Sequence, residues 1–164
     1  MGVLTTGYSI EPKQMRKIRA DNDNLIFLLG FDEEENQTWK VPSYDFDKSF
    51  ADLIGVLRHC GYQKIYKLLD GEGYFYSEGS NYIDYEGYDI WVVSPANVKK
   101  IVQELETLTL AKIKAAGAAE PLTDYYGKTI PESSYKSYFA YISDMKKFFQ
   151  KAAENGNYLL FAEA

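Results

Sequence analysis

The chain has one cysteine and one histidine in 164 residues. Cys60 alone cannot close an internal disulfide, and such sparing use fits a reducing compartment, so a cytoplasmic location is expected. With His59 as the single imidazole, a zinc site would have to be built mostly from carboxylates, and no metal or other cofactor is expected. No apolar run approaches the roughly 20 residues that cross a bilayer, so no membrane association is expected. The opening residues lack a charged stretch followed by an apolar one, so no secretory signal is expected. Gly2-Val3-Leu4-Thr5-Thr6 has the outline of a myristoylation motif, but the same residues read better as the start of a strand. Cations are also short: 18 Lys and Arg face 24 Asp and Glu, a net charge of −6. Such a surface repels phosphate backbones, so no nucleic-acid partner is expected, while a basic protein would be attracted.

What is present is ordinary globular material, 46% hydrophobic and 26% charged, without a linker or repeat to divide it. A single domain over residues 1–164 is expected. Val3 to Ile10 reads as a strand. Pro12 opens a short helix with Met15 and Ile18 inward, and Asp21-Asn22-Asp23-Asn24 stops it. Leu25 to Phe31 is apolar and fits helix or strand. Phe50, Leu53, Ile54 and Leu57 form one helical stripe, with Asp45 or Asp47 as its cap and Gly61 as its stop. Gln63 to Leu69 fits a second short helix, and Ile90 to Val93 a buried strand. Ser94-Pro95 starts a helix that the spacing of Val98, Ile101, Val102, Leu105 and Leu108 carries to about Ala116, before Gly117. Pro131 opens a last helix ending at Asn155-Gly156, and Tyr158 to Phe161 forms a strand placed to pair with the first. The fold class is α/β (α+β): a small mixed sheet pairing the N- and C-terminal strands, packed by amphipathic helices.

The chain opens Met1-Gly2-Val3, and Asp45-Phe46-Asp47-Lys48-Ser49-Phe50 leads a helix ending in Leu57. Ser94-Pro95 leads Val98 and the helix from Ile101 to Leu108. Tyr138-Phe139, Phe148-Phe149, Ala152-Ala153 and Gly156-Asn157 precede an apolar strand. The order of these features resembles the YfbM-like family of small bacterial proteins, a domain of unknown function. Where members of the family carry a small residue and Trp at the helix start, Ser49-Phe50 stand here, which implies packing rather than chemistry at that step. The resemblance implies an α/β fold and a cytoplasmic bacterial protein. It implies no activity and no catalytic residues.

The stretch from Asp70 to Trp91 stands apart. It carries Tyr74, Phe75, Tyr76, Tyr82, Tyr85, Tyr88 and Trp91 among Asp70, Glu72, Glu78, Asp84, Glu86 and Asp89. No Lys or Arg falls between Lys67 and Lys99. Amphipathic rings in a negative field suit a protein-binding surface. Tyr74, Tyr76, Glu78, Tyr82, Asp84, Tyr85, Glu86 and Tyr88 are the candidate partner-binding residues. Their acids lack the spacing of a calcium loop, and acids beside Gly71 and Gly73 would repel phosphate.

No catalytic residue is expected. His59 and Cys60 are neighbours on a helix, and neighbouring side chains point about 100° apart. Lys99-Lys100 and Lys146, Lys147, Lys151 read as solvated helix faces. The function expected is a non-enzymatic acidic binding module, as in an immunity protein that neutralises a basic toxin. The alternative is a small enzyme or ligand-binding domain with Asp45, Asp47 or His59 in a carboxylate-lined cleft.

Overall fold

Tyr158-Leu159-Leu160-Phe161-Ala162-Glu163 is apolar at four successive positions, the pattern of a strand buried on both faces. In the computed structural model it is the central strand of the sheet, with Leu159 to Ala162 all buried. The structure describes residues 4–29, 39–47, 49–63, 65, 82–124 and 126–164.

The strands are β1 (Thr5–Ile10), β2 (Ser43–Asp47), β3 (Tyr82–Tyr85), β4 (Tyr88–Val93) and β5 (Tyr158–Glu163). They lie in the order β2-β1-β5-β4-β3. The first and last strands do pair, Gly7 opposite Phe161, and every pairing is antiparallel rather than mixed. Alternation along each strand then sorts side chains between two cores.

On the first face Phe46, Trp91, Val93, Leu159 and Phe161 meet helices α3 (Phe50–His59), α4 (Pro95–Leu105), α5 (Leu110–Ala119) and α6 (Tyr135–Glu154). On the second face Ile10, Ile90, Val92, Leu160 and Ala162 are covered by Met15 and Ile18 of α1 (Pro12–Ala20), Leu25 of a 3-10 turn (Asn22–Leu25) and Leu28 of α2 (Ile26–Leu29). As far as it is described, the ambiguous run from Leu25 is therefore helical. The stripe of α3 is buried at Phe50, Leu53, Ile54 and Leu57, as its period dictates.

Three local readings are corrected. Asp45 and Asp47 both belong to β2, and the cap position of α3 falls to Ser49, whose side chain makes no capping bond. Phe46 decides this. Its ring is buried against Phe50 and Phe161, and it sits where the register with β1 shifts, so the segment is held extended. The helix predicted to reach Ala116 is two helices. Thr107 Oγ1 donates to the Glu104 carbonyl at 2.7 Å, and Thr109 Oγ1 accepts the Lys112 N–H at 3.2 Å. These side chains offer the backbone partners outside the helix and restart it at Leu110. Gly117 is not a stop but a packing residue inside α5: a Cβ there would lie 2.3 Å from the Tyr135 hydroxyl. Finally, Pro131 precedes a 3-10 turn (Glu132–Ser134), and α6 starts only at Tyr135.

Candidate functional site

β3 and β4 form a hairpin at one end of the sheet, joined by Glu86-Gly87. Both turn residues have positive φ, +51° and +82°, the conformation a two-residue hairpin loop requires. Pairing sets Tyr82 opposite Trp91, Asp84 opposite Asp89 and Tyr85 opposite Tyr88. The candidate residues thus divide between faces. Tyr82 and Asp84 share the Trp91 side. Tyr85 and Tyr88 pack against the second core beside Ile83. All three tyrosines are half-buried, whereas Asp84, Glu86 and Asp89 are exposed. Tyr74, Tyr76 and Glu78 lie outside the described residues.

The carboxylates line up across strands. Asp84 faces Asp89, Asp89 faces Glu163, and Glu163 faces Thr5, all on the first side of the sheet. Thr5 Oγ1 donates to Glu163 Oε2 at 3.3 Å. The Tyr82 hydroxyl donates to Asp89 Oδ1 at 2.5 Å. That bond, with a smaller contribution from burial and then from the charges of Asp89 and Asp84, pushes the Tyr82 pKa up to about 12. The sign follows from the donor: ionisation removes the proton that Asp89 accepts and sets phenolate against carboxylate. Absorbance titration of the tyrosines is expected to show one group ionising near 12 that moves back toward 10 in Asp89→Asn. An unchanged high-pH group in that variant refutes the pairing.

Sequence reasoning missed three members of this acidic surface. Glu163 was read as lying beyond the last strand, yet the register brings it beside Asp89. Asp21 and Asp23 were read only as a helix stop. They hold the 3-10 turn, with Asp21 Oδ1 accepting the Asp23 N–H at 3.0 Å. The Tyr85 pKa is raised first by burial and then by the charges of Asp23, Glu86 and Asp21. Only the recurrence of Asp at 21 and 23 offers a signal.

Residues of the alternative, enzymatic reading do not come together. Asp45 lies on β2, at the end of the sheet opposite β3. His59 Nε2 lies 2.8 Å from Thr123 Oγ1, which ties the end of α3 to the 121–130 loop. Cys60 follows the helix, and burial pushes its thiol pKa up, away from the reactive thiolate. Among the described residues no group of three or more His, Cys, Asp or Glu is placed to hold a metal. No described helix is long and apolar enough to cross a membrane.

An open antiparallel sheet with a core on each face and an acidic hairpin at one end defines an α+β domain protein. The chain belongs to the family described as "Domain of unknown function (DUF1877)", whose model matches residues 1–162. Its fold is similar to the crystal structure of YfbM from Escherichia coli, titled a protein of unknown function, with a TM-score of 0.61 over 98% of this chain and 99% of that one. The two sequences are 15% identical, so the likeness concerns the fold. No curated protein matches the chain.

Proposed function

We propose that the protein is a non-enzymatic binding module that receives a basic protein on its acidic hairpin. The carrying observation is the cross-strand row Asp84–Asp89–Glu163, flanked by the half-buried ring of Tyr82 and by exposed Glu86 at the turn, with the half-buried rings of Tyr85 and Tyr88 on the opposite face of the same hairpin. Like charges on neighbouring strands repel, and a cationic partner relieves that repulsion. The net charge of −6 steers such a partner toward the surface, while tyrosines already ordered by packing supply contact area at small entropic cost. A basic toxin domain met in the cytoplasm is the partner that this chemistry suits best, which makes the protein an immunity protein.

The test is native co-purification followed by charge reversal. Wild type is expected to retain a protein of high pI, released as salt is raised. Asp84→Lys with Glu86→Lys is expected to lose it at all salt concentrations while the thermal midpoint stays the same. Lys99→Glu with Lys100→Glu, on α4, is expected to retain it. A retained partner that is acidic, or one held equally by the hairpin variant, overturns the reading, as does a wild type that retains nothing.

A further inference from the structure

A second surface, chemically opposite to the hairpin, lies where α1 begins. The helix reads Pro-Lys-Gln-Met-Arg-Lys-Ile-Arg-Ala and carries Lys13, Arg16, Lys17 and Arg19 with no acid, in a chain of net charge −6. Two of these cations are spent on rings. Lys17 Nζ lies 5.9 Å from the Trp39 ring centroid, and Arg19 lies 5.1 Å from that of Tyr158. Lys13 and Arg16 are not so used. They stand three residues apart on one helix face and line an open cleft of about 590 Å³ together with Glu11, Pro12, Asn155 and Asn157. Among the described residues neither cation has a carboxylate within 4.0 Å; the ion pair found there is Lys147–Asp144.

The far wall of the cleft is rigid and polar. Asn157 is only 5% exposed. Its backbone N–H donates to the Ala152 carbonyl at 2.9 Å, and its side-chain amide donates one hydrogen to Ser9 Oγ at 3.0 Å. Asn155 ends α6, its N–H donating to the Lys151 carbonyl. Gly156 between them holds φ +67° and turns the chain so that both asparagines reach the cleft. The helix end itself is engaged within the chain, since Gln14 Oε1 accepts the Glu11 N–H at 3.1 Å. The attraction of the cleft therefore rests on side chains. Glu11 leaves it one net positive charge, which suits a small anion and disfavours a polyanion.

We propose that this cleft binds a small ligand through an oxyanion, carboxylate or phosphate, held by Lys13 and Arg16 against the asparagine wall. Guanidinium and ammonium donors match such oxygens in charge and geometry. The site is independent of the hairpin and of the partner proposed for it.

The experiment is an amide-resolved NMR titration of the full chain at constant ionic strength, with inorganic phosphate in one arm, succinate in a second and chloride as the control. Saturable shifts confined to residues 11–16 and 155–157 are expected with phosphate, succinate or both, and the responding arm identifies the source of the oxyanion. Lys13→Gln with Arg16→Gln is expected to weaken binding at least about tenfold. Both side chains are exposed, and the single Lys13→Gln variant, weakened in the same direction, serves if the double variant melts early. Equal shifts around Lys99, Lys146 and Lys147, shifts that do not saturate, or unchanged affinity in the variants overturn the proposal.

Discussion

Phe161→Ala is expected to lower the unfolding free energy by about 3–5 kcal/mol. The ring is fully buried on the central strand. It stacks on Trp91 with centroids 5.3 Å apart and meets Phe46, Phe50 and Phe149 at 5.9, 6.0 and 6.3 Å. Gly7 on the neighbouring strand makes room for it, since a Cβ there would lie 3.2 Å from Phe161 Cε1 and 3.0 Å from Phe46 Cε2. Removal leaves a hole bounded by strands on both sides, which cannot close in without breaking ladder hydrogen bonds. A domain of ordinary stability, about 5–15 kcal/mol, loses much of its margin. Urea unfolding measures this, with exposed Tyr126→Ala as a control expected to stay within about 0.5 kcal/mol. A loss under about 1.5 kcal/mol for Phe161→Ala contradicts the packing described.

Gly55→Ala tests a second packing contact, and here even the sign of the effect is informative. Gly55 is in the middle of α3, where helix propensity alone favours alanine by about 1 kcal/mol. Yet a Cβ at that position would stand 2.4 Å from the Thr123 carbonyl oxygen and 2.7 Å from the Asp124 Cα. Both are backbone atoms of a loop that cannot simply rotate aside. Asp124 Oδ1 accepts the N–H groups of Tyr126 and Lys128 at 2.9 and 2.8 Å, and the Ile130 N–H donates to the Leu122 carbonyl at 2.7 Å. The methyl must push this braced loop off the helix and stretch the His59–Thr123 contact. A net loss of about 2 kcal/mol is expected, with faster amide exchange confined to residues 122–130. A gain in stability refutes the close approach. Gly61→Ala, at φ +86° with nothing near its would-be Cβ, is expected to cost about 1 kcal/mol from backbone strain alone.

These two residues also show where the sequence was legible. Phe161 lies in an apolar run that declares a buried strand, and the order of helices and strands around it was readable from period and punctuation. Ser94 and Pro95 did start a helix, with Ser94 Oγ accepting the Asn97 N–H, and Gly156 did end one. Gly55 carried no such mark. The reason a glycine must stand there belongs to residues 123 and 124, almost 70 positions away. Asp45 and Asp47 stand in β2 instead of at the cap position for a similar reason. Local preference favours acids at helix starts, but burial of Phe46 in a distant core outweighs a cap bond. The helix break at 106–109 was local chemistry that the apolar period concealed, because Leu105 and Leu108 are both buried across the turn.

The candidate surface divides along the same line. Composition determined its character: acidic, tyrosine-bearing and poor in cations. The sequence also marked β1, β4 and β5 as strands and the apolar faces of the main helices, because strand and helix periods are local consequences of backbone geometry, whereas β2 and β3 carried no such mark. Only the tertiary structure decided that Asp84 and Asp89 meet Glu163 at the far end of the chain, that the charges of Asp21 and Asp23 act on Tyr85, and that the tyrosines split between two faces. It alone left Lys13 and Arg16 facing a cleft while Lys17 and Arg19 found rings. Strand register and the docking of one element on another are set by complementary burial between residues far apart in sequence, and no local pattern encodes that pairing.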